Sequence, residues 1–229
     1  MIRGAHIACL ALVIAFETSA TLALSTRPAL AQDLPPEQAL LLQQVIDATC
    51  VDLDEARPGC EHAVLVANTS QPDRADLIVL SDRRSDAPAE PLLIARAIAF
   101  SGAAPDMMAT VDRDEAGLLR LSSQQTGMGR FPWFQTLEIG YRENRFVLAG
   151  FAYRTFDREA GGVMTCDVDL LTGDYAVETT AVDVASESAI VVLADSGQIE
   201  ALDLDLATLG TNTPFPAPCE AGLAALDGY

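Results

Sequence analysis

The sequence predicts a mainly β protein, an antiparallel meander or sandwich with one N-terminal helix. From Ala63 onward, short apolar runs recur and are separated by Asp, Ser, Pro and Gly clusters that are typical of turns. The stretch Leu137–Arg142 alternates between apolar and polar residues, as a half-buried strand does. Strands that follow one another without intervening helices favour antiparallel pairing over βαβ units.

Residues 1–31 are predicted to form a secretory signal peptide. Arg3 lies in a short basic region, an apolar run extends from Ile7 to Phe16, and Ala29-Leu30-Ala31 fits a cleavage site that would place the mature start at Gln32. The alternative, an uncleaved membrane anchor, requires a longer apolar stretch. We therefore expect a periplasmic or secreted protein with no membrane span after cleavage, in which residues 32–229 form a single β-rich domain.

The predicted helix covers Asp33–Thr49. Pro35 and Pro36 fall in its first turn, where proline is tolerated. An apolar stripe then follows at helical spacing. The stripe consists of Leu41, Leu42, Val45, Ile46 and Thr49.

Two turns define the predicted strands between Leu137 and Thr179. Glu143-Asn144-Arg145 is the first, because Asn tolerates the left-handed backbone that tight hairpins need. Leu171-Thr172-Gly173-Asp174 is the second. The strand before this second turn alternates strictly, and its coreward face is expected to carry Met164, Cys166, Val168 and Leu170.

A further hairpin is predicted over Ala189–Leu206, with its turn at Asp195-Ser196-Gly197. No element is assigned to Thr211–Tyr229, which is rich in Pro and Ala and which we expect Cys219 to tie down.

The central hairpins carry the one family resemblance in the chain. The segments YRENRFVLAGFAYRTFDR (141–158) and CDVDLLTGD (166–174) resemble a pattern Y-R-N-G-R-F-x-L-x-G, an Asp-Arg pair and D-x-x-L-T-G. This pattern occurs in uncharacterised exported bacterial β-rich proteins, and Asn144 stands where the pattern has Gly. The resemblance implies a hairpin framework and no particular function.

Four cysteines remain after Gln32, an even number in a chain expected in an oxidising compartment. They allow three pairings. We favour Cys50 with Cys60, which flank a short polar loop, and Cys166 with Cys219. A metal site is the alternative, but no C-x-x-C spacing occurs and His62 is the only histidine after the signal peptide, so no metal and no cofactor are expected.

Composition and motifs exclude several classes of function. The chain has 33 acidic and 14 basic residues, all of the latter Arg, so its net charge of -19 leaves no basic patch for nucleic acid. Nucleophile elbows, P-loops, dinucleotide fingerprints and H-E-x-x-H motifs are absent. The remaining catalytic candidates are two carboxylate pairs, Asp167 with Asp169 and Asp203 with Asp205, although an acidic chain places such pairs on strand faces by chance.

A loop from Gln124 to Phe134 is the predicted binding segment. It holds Arg130 beside Trp133, the only tryptophan, and these two residue types are enriched at binding hot spots. We predict Arg130, Trp133 and Gln125 as partner-binding residues. The alternative is that Trp133 plugs one end of the core while the glycines turn the chain.

The predicted function is non-enzymatic binding of an envelope protein or glycan, because no catalytic residues are assigned. The alternative is a carboxylate-based hydrolase acting on an envelope glycan, which rests on the Asp pairs alone.

Overall fold

In the computed structural model, two antiparallel sheets are built from strands that follow one another in sequence order. The structure describes residues 43–53, 59–82, 90–183, 185–209 and 213–228, which belong to one compact unit. The mainly β prediction is confirmed, since each sheet is a meander in which every strand pairs with its neighbours along the chain.

Sheet A has four strands and sheet B has seven. The strands of sheet A are β1 (Val45–Val51), β2 (Glu61–Ala67), β3 (Arg74–Leu80) and β4 (Pro91–Phe100). Those of sheet B are β5 (Met107–Arg113), β6 (Leu119–Gln125), β7 (Trp133–Arg142), β8 (Arg145–Phe156), β9 (Val163–Asp169), β10 (Asp174–Asp183) and β11 (Ser188–Gln198). Two helices follow, α1 (Leu206–Leu209) and α2 (Ala217–Asp227). No helix in these described ranges has the length and apolarity needed to cross a membrane.

The two sheets share one apolar core. Leu65 and Leu77 of sheet A and Leu119, Leu121 and Ile139 of sheet B are at most 1% exposed. This close packing follows from the period-two pattern, which places alternate residues of each strand on the face toward the other sheet.

Asp47 connects the edges of the two sheets. A register shift in β1 accompanies it, and its carboxylate accepts hydrogen bonds from its neighbour Ala48 N (2.9 Å) and from Val111 N of β5 (2.9 Å). At the other side of sheet A, Phe100 N donates to the Ser123 hydroxyl of β6 (3.1 Å). The end of β4 therefore lies over the inner face of sheet B.

The predicted central hairpin forms as expected. Glu143 and Asn144 both have positive φ (51° and 63°), the conformation of a two-residue turn that matches strand twist. Asn144 thus fills a position where the resembling pattern has Gly. In β9, Met164, Cys166 and Val168 are buried while Asp167 and Asp169 are exposed, as the alternation predicts.

The predicted N-terminal helix over Asp33–Thr49 is wrong in its described part, because Val45–Thr49 lie in β1. Val45, Ile46 and Thr49 are β-branched and favour strands, and β1 pairs antiparallel with β2. Residues 33–42 and the predicted signal peptide lie outside the described residues.

The predicted turn at Asp195-Ser196-Gly197 is also wrong. β11 continues through these residues and pairs with β10 along its whole length. Gly197 lies close to Tyr175, since an added Cβ would come within 3.1 Å of the Tyr175 hydroxyl. Helix α2, to which the sequence pattern assigned no element, begins after Pro216 with Pro218 in its first turn.

Both favoured disulfides are present. Cys50–Cys60 closes the loop between β1 and β2, and Cys166–Cys219 fastens α2 to the inner face of β9. Cys166 and Cys219 are 1% and 0% exposed. Thr179 Oγ1 of β10 donates to Gly222 O of the same helix (3.0 Å), so α2 covers one half of sheet B from the inside.

Candidate functional site

Two loops at one end of sheet B form the surroundings of the predicted binding segment. The first, residues 126–132, connects β6 to β7, and the second, residues 157–162, connects β8 to β9. The predicted segment from Gln124 to Phe134 is therefore only partly a loop. Gln125 ends β6 and Trp133 begins β7, and they are direct cross-strand partners.

Arg130 is held by a buried carboxylate. Asp157 is 2% exposed, and Arg130 Nε and Nη2 donate to it, Nε at 3.0 Å and Nη2 at 2.5 Å. Asp157 also accepts from the backbone N–H groups of Glu159 (2.8 Å) and Ala160 (3.2 Å). The Arg130 guanidinium, followed by these backbone donors, lowers the pKa of Asp157 to about 2.

Further contacts fasten the 126–132 loop to the 157–162 loop. The Arg158 guanidinium donates to the carbonyls of Thr126 and Gly129, and Thr155 Oγ1 donates to Pro132 O (2.8 Å). Gly127 permits a close approach on the other side, since an added Cβ would collide with the Pro105 carbonyl. The loop is thus fixed in position before any ligand binds.

Trp133 belongs to an aromatic cluster on the inner side of sheet B. We define the aromatic cluster as Phe100, Trp133, Phe151, Tyr153 and Phe215. Ring centroids are 5.1 Å apart for Phe100 and Trp133, 6.3 Å for Trp133 and Tyr153, and 5.0 Å for Tyr153 and Phe215. Phe151 is buried, and the other four rings are half-buried. The cluster therefore presents part of its ring surface between the end of β4 and the segment before α2.

Gln125 lies on the same face as Trp133 and is 7% exposed. Its Nε2 is the only fully buried side-chain nitrogen or oxygen among the described residues that has no hydrogen-bond partner. A buried amide donor without an acceptor is costly, at about 1–3 kcal/mol. Such an atom in a native structure calls for an explanation, and an acceptor supplied by a ligand is one.

Tyr153 adds a second polar atom to the cluster. Partial burial raises the pKa of its hydroxyl to about 12, so it remains a neutral donor and acceptor at physiological pH. Gln135 is the direct cross-strand partner of Tyr153 and is half-buried on the same face. The aromatic cluster thus combines half-buried rings with uncharged hydrogen-bonding groups.

A second candidate lies on the outer face of sheet B. We call it the acidic hollow and define it by Glu138, Ala152, Asp167, Asp169 and Ala176, which line a depression of about 490 Å³. Small residues form its floor, and the Glu138 carboxylate lies over Gly150, where a Cβ would collide with it. Carboxylates therefore border the depression from β7 and from β9.

Two of these carboxylates have raised pKa values, although Asp167 is exposed and Glu138 is half-buried. Partial burial, followed by repulsion from Asp114, raises the pKa of Glu138, and partial burial raises the pKa of Asp167. Asp169 has a structural task, since it accepts from the N–H groups of Leu171 and Thr172.

The other predicted carboxylate pair is used in structure. Asp203 accepts from Arg145 Nη2 (2.6 Å), and Asp205 accepts from Ala207 N (2.9 Å) at the start of α1. The Arg145 guanidinium lowers the pKa of Asp203. These contacts leave Asp167 and Glu138 as the carboxylates best placed for chemistry.

Metal-ligating atoms come together at one place in the described ranges. Cys50, Cys60 and His62 place their sulfur and nitrogen atoms within 4.8 Å of one another. The two sulfurs are bonded to each other, however, and a metal needs free thiolates.

The structure thus places two of the predicted binding residues, the buried Gln125 and the half-buried Trp133, side by side on the inner face of sheet B and pairs Arg130 with Asp157. Sequence reasoning missed Tyr153, although hairpin register would have placed it near Trp133. It also missed Phe100 and Phe215, which reach the cluster from distant parts of the chain and leave no local signal.

Comparison with known proteins gives no family for this chain: no family model, no curated protein and no solved structure matches it.

Proposed function

We propose that this protein is a non-enzymatic binding protein of an extracytoplasmic compartment, periplasmic or secreted, that binds an uncharged envelope glycan at the aromatic cluster. The observation that carries the proposal is the unpartnered Nε2 of Gln125 beside half-exposed rings. The two disulfides support a location outside the cytoplasm.

The chemistry of the cluster suits a sugar. Sugar rings present apolar C–H faces that pack on aromatic rings, and Trp133 and Tyr153 offer such rings. Gln125 Nε2 is fully buried, so the Gln125 side chain would have to rotate toward the exposed part of the rings before Nε2 could donate to hydroxyl or acetamido oxygens of the ligand. The surrounding loops are already fixed, so little conformational entropy is lost on binding. The net charge of -19 also disfavours anionic ligands.

Trp133 makes the test direct, because it is the only tryptophan and lies in the proposed site. N-acetylglucosamine oligomers are titrated into the protein, and its tryptophan emission is followed. We expect a saturable change in emission. Gln125→Leu should weaken binding at least about tenfold, the effect of losing about 1.4 kcal/mol.

Gln124→Leu is the matched control, since Gln124 lies on the same strand and on the opposite face. It should leave the affinity unchanged. Gln125→Leu should also increase the free energy of unfolding by about 1 kcal/mol, because it removes a buried donor without an acceptor. Equal affinity of the two variants, or no saturable change for any neutral oligosaccharide tested, would contradict the proposal.

The acidic hollow favours a second candidate function, a carboxylate-based hydrolase acting on an envelope glycan. Glycosidases use one carboxyl with a raised pKa as acid and another as base or nucleophile, about 5–9 Å apart. Glu138 and Asp167 have raised pKa values and border the same depression.

Release of reducing ends from cell-wall glycan tests this second function. Turnover that is lost in Asp167→Asn and in Glu138→Gln, but retained in His62→Ala and in Glu178→Gln, would favour the hydrolase. Glu178 is an exposed carboxylate of β10 and serves as the control. We expect no turnover above the level of a protein-free blank.

A further inference from the structure

The outer face of sheet A carries an apolar patch. The patch consists of Ala48, Val64, Val66, Ile78, Leu80 and Ile94, from all four strands. Ala48, Val64, Ile78 and Ile94 are cross-strand neighbours in one row. Ala48 and Ile94 are exposed, Ile94 to 42%, and the other four residues are half-buried. No residue of the patch belongs to the shared core.

The outer face of sheet B is polar, in contrast to the outer face of sheet A. The outer positions of its central strands are mostly polar or charged. They include Arg120, Ser122 and Gln124 of β6, Thr136 and Glu138 of β7, and Thr165 and Asp167 of β9. Both sheets are antiparallel and lie in one molecule, so strand propensity alone does not explain the difference.

An antiparallel sheet with one face in water alternates between apolar and polar residues, whereas strands that are apolar on both faces are typical of sheets covered on both sides. The inner residues of sheet A, such as Leu65, Leu77 and Val79, are already fully buried. The outer rows therefore require a second cover, and contiguous exposed apolar patches mark interaction surfaces.

Charge points to the occupant. The described charged side chains in the patch's own rows are Arg96 and Asp76, which form an ion pair at 3.0 Å and sum to zero. The whole chain has a net charge of -19. Two copies that meet through acidic surfaces repel each other, whereas two copies that meet through this patch bring no unbalanced charge together.

We propose that the outer face of sheet A is a homodimer interface, in which two copies pack their patches face to face around a two-fold axis. Such a contact is self-complementary, and two packed sheets place their inner side chains about 10 Å apart. Four strands spaced about 4.8 Å and some six residues long give a face of roughly 20 by 20 Å. Two such faces give about 800 Å² in total, less than the roughly 1,200 Å² at which stable interfaces begin, so we expect a weak dimer with a dissociation constant in the micromolar range.

Sedimentation equilibrium of the exported protein tests the proposal, with loading from about 1 to about 500 μM. The wild-type protein should pass from monomer to dimer mass across this range. Ile94→Asp places one like charge from each copy in the interface and should raise the dissociation constant at least about a hundredfold. Circular dichroism checks that this variant keeps its fold.

Val191→Asp is the matched control. Val191 is 59% exposed and lies on β11, the edge strand of sheet B, whereas the patch lies on sheet A. Like Ile94, it is a β-branched strand residue. It should leave the dissociation constant unchanged.

A wild-type protein that stays monomeric throughout overturns the proposal, and this result does not depend on any variant. So does a dimer that survives Ile94→Asp, or one that Val191→Asp also dissociates. The patch and the aromatic cluster lie on different faces, so glycan binding and dimerisation succeed or fail separately.

Discussion

Asp157 is the residue whose replacement tests most directly how the binding loops are held. Its side chain is 1% exposed and accepts from Arg130 and from the N–H groups of Glu159 and Ala160. In Asp157→Ala both backbone donors lose their acceptor, and the guanidinium loses its partner. In Asp157→Asn one side-chain oxygen still accepts from the backbone, but the charge is lost and an NH2 donor replaces the oxygen that accepts from Arg130 Nη2.

The expected costs follow from these contacts. A buried polar group that loses its hydrogen-bond partner costs about 1–3 kcal/mol, and a charged group costs more. Asp157→Ala should lower the free energy of unfolding by about 3 kcal/mol. For a chain of this length that corresponds to a fall of roughly 6–12 °C in the thermal midpoint. Asp157→Asn should cost about half as much. In an Arg130→Met background the effect of Asp157→Ala should shrink, because the two residues share one interaction.

The pH dependence has a defined sign. The pKa of Asp157 falls from 3.8 to about 2 in the folded protein, chiefly through Arg130. A group whose pKa is lowered by folding stabilises the protein above the unfolded pKa and loses this effect as pH falls through the folded pKa. The stability difference between wild type and Asp157→Asn should therefore be constant above about pH 5 and shrink between about pH 4 and 2.

Urea unfolding followed by tryptophan emission measures these differences, with Arg154→Met as the control. Arg154 is an exposed arginine of β8, and its replacement should change stability by less than about 0.5 kcal/mol. A cost below about 1 kcal/mol for Asp157→Ala, or a wild-type minus Asp157→Asn difference that stays constant down to pH 2, would refute the reasoning.

Three further predictions concern the core, the junction of the sheets and the disulfides. Trp133→Ala should cost about 2–3 kcal/mol, below the value for a fully buried ring, by thermal melts followed by circular dichroism; a loss under 1 kcal/mol would contradict its packing on Phe100 and Tyr153. Asp47→Ala should cost about 1–2 kcal/mol because Val111 N loses its acceptor, whereas no measurable loss in urea titration would mean that packing alone joins the sheets. Replacing Cys166 and Cys219 by Ala should lower the free energy of unfolding by about 4 kcal/mol, because this disulfide closes a loop of 53 residues. Replacing Cys50 and Cys60 should lower it by about 2.7 kcal/mol, because that loop spans 10 residues. The reverse order in denaturant midpoints would contradict the loop-length argument.

The strands with strict alternation could be predicted from the sequence, because period-two burial leaves a local signal. The turn at Glu143-Asn144 and the coreward face of β9 are confirmed. The helix prediction is wrong over residues 45–49, because the β-branched residues at 45, 46 and 49 satisfy helical spacing and strand propensity at once, and the pairing with β2 decides between them.

The C-terminal helix α2 forms where the sequence predicts no element. Prolines in a first turn predict a helix start at Pro35 and Pro36, which lie outside the described residues, and the same feature marks the start of α2 at Pro216 and Pro218. Its position depends on the Cys166–Cys219 bond and on burial against β9 and β10, which no short window of sequence reports. The aromatic cluster was missed for the same reason, since Phe100 and Phe215 join Trp133 and Tyr153 only through the packing of distant segments.

The hydrogen bonds that hold the 126–132 and 157–162 loops and the unpartnered amide of Gln125 are expected to have opposite effects on the free energy of unfolding. This contrast links stability to the proposed function. The bonds of Asp157 and Arg158 stabilise the loops and, by fixing them, keep the cluster in place. Gln125 Nε2 lowers stability, because its burial is not compensated within the described protein. A residue kept for packing would be apolar, as Leu119 and Leu121 on the same face of β6 are, or would have its polar atom paired, as Ser123 has. Loss of the loop bonds should therefore reduce both stability and glycan binding, whereas Gln125→Leu should raise the first and reduce the second, the pattern expected of a residue that serves a ligand.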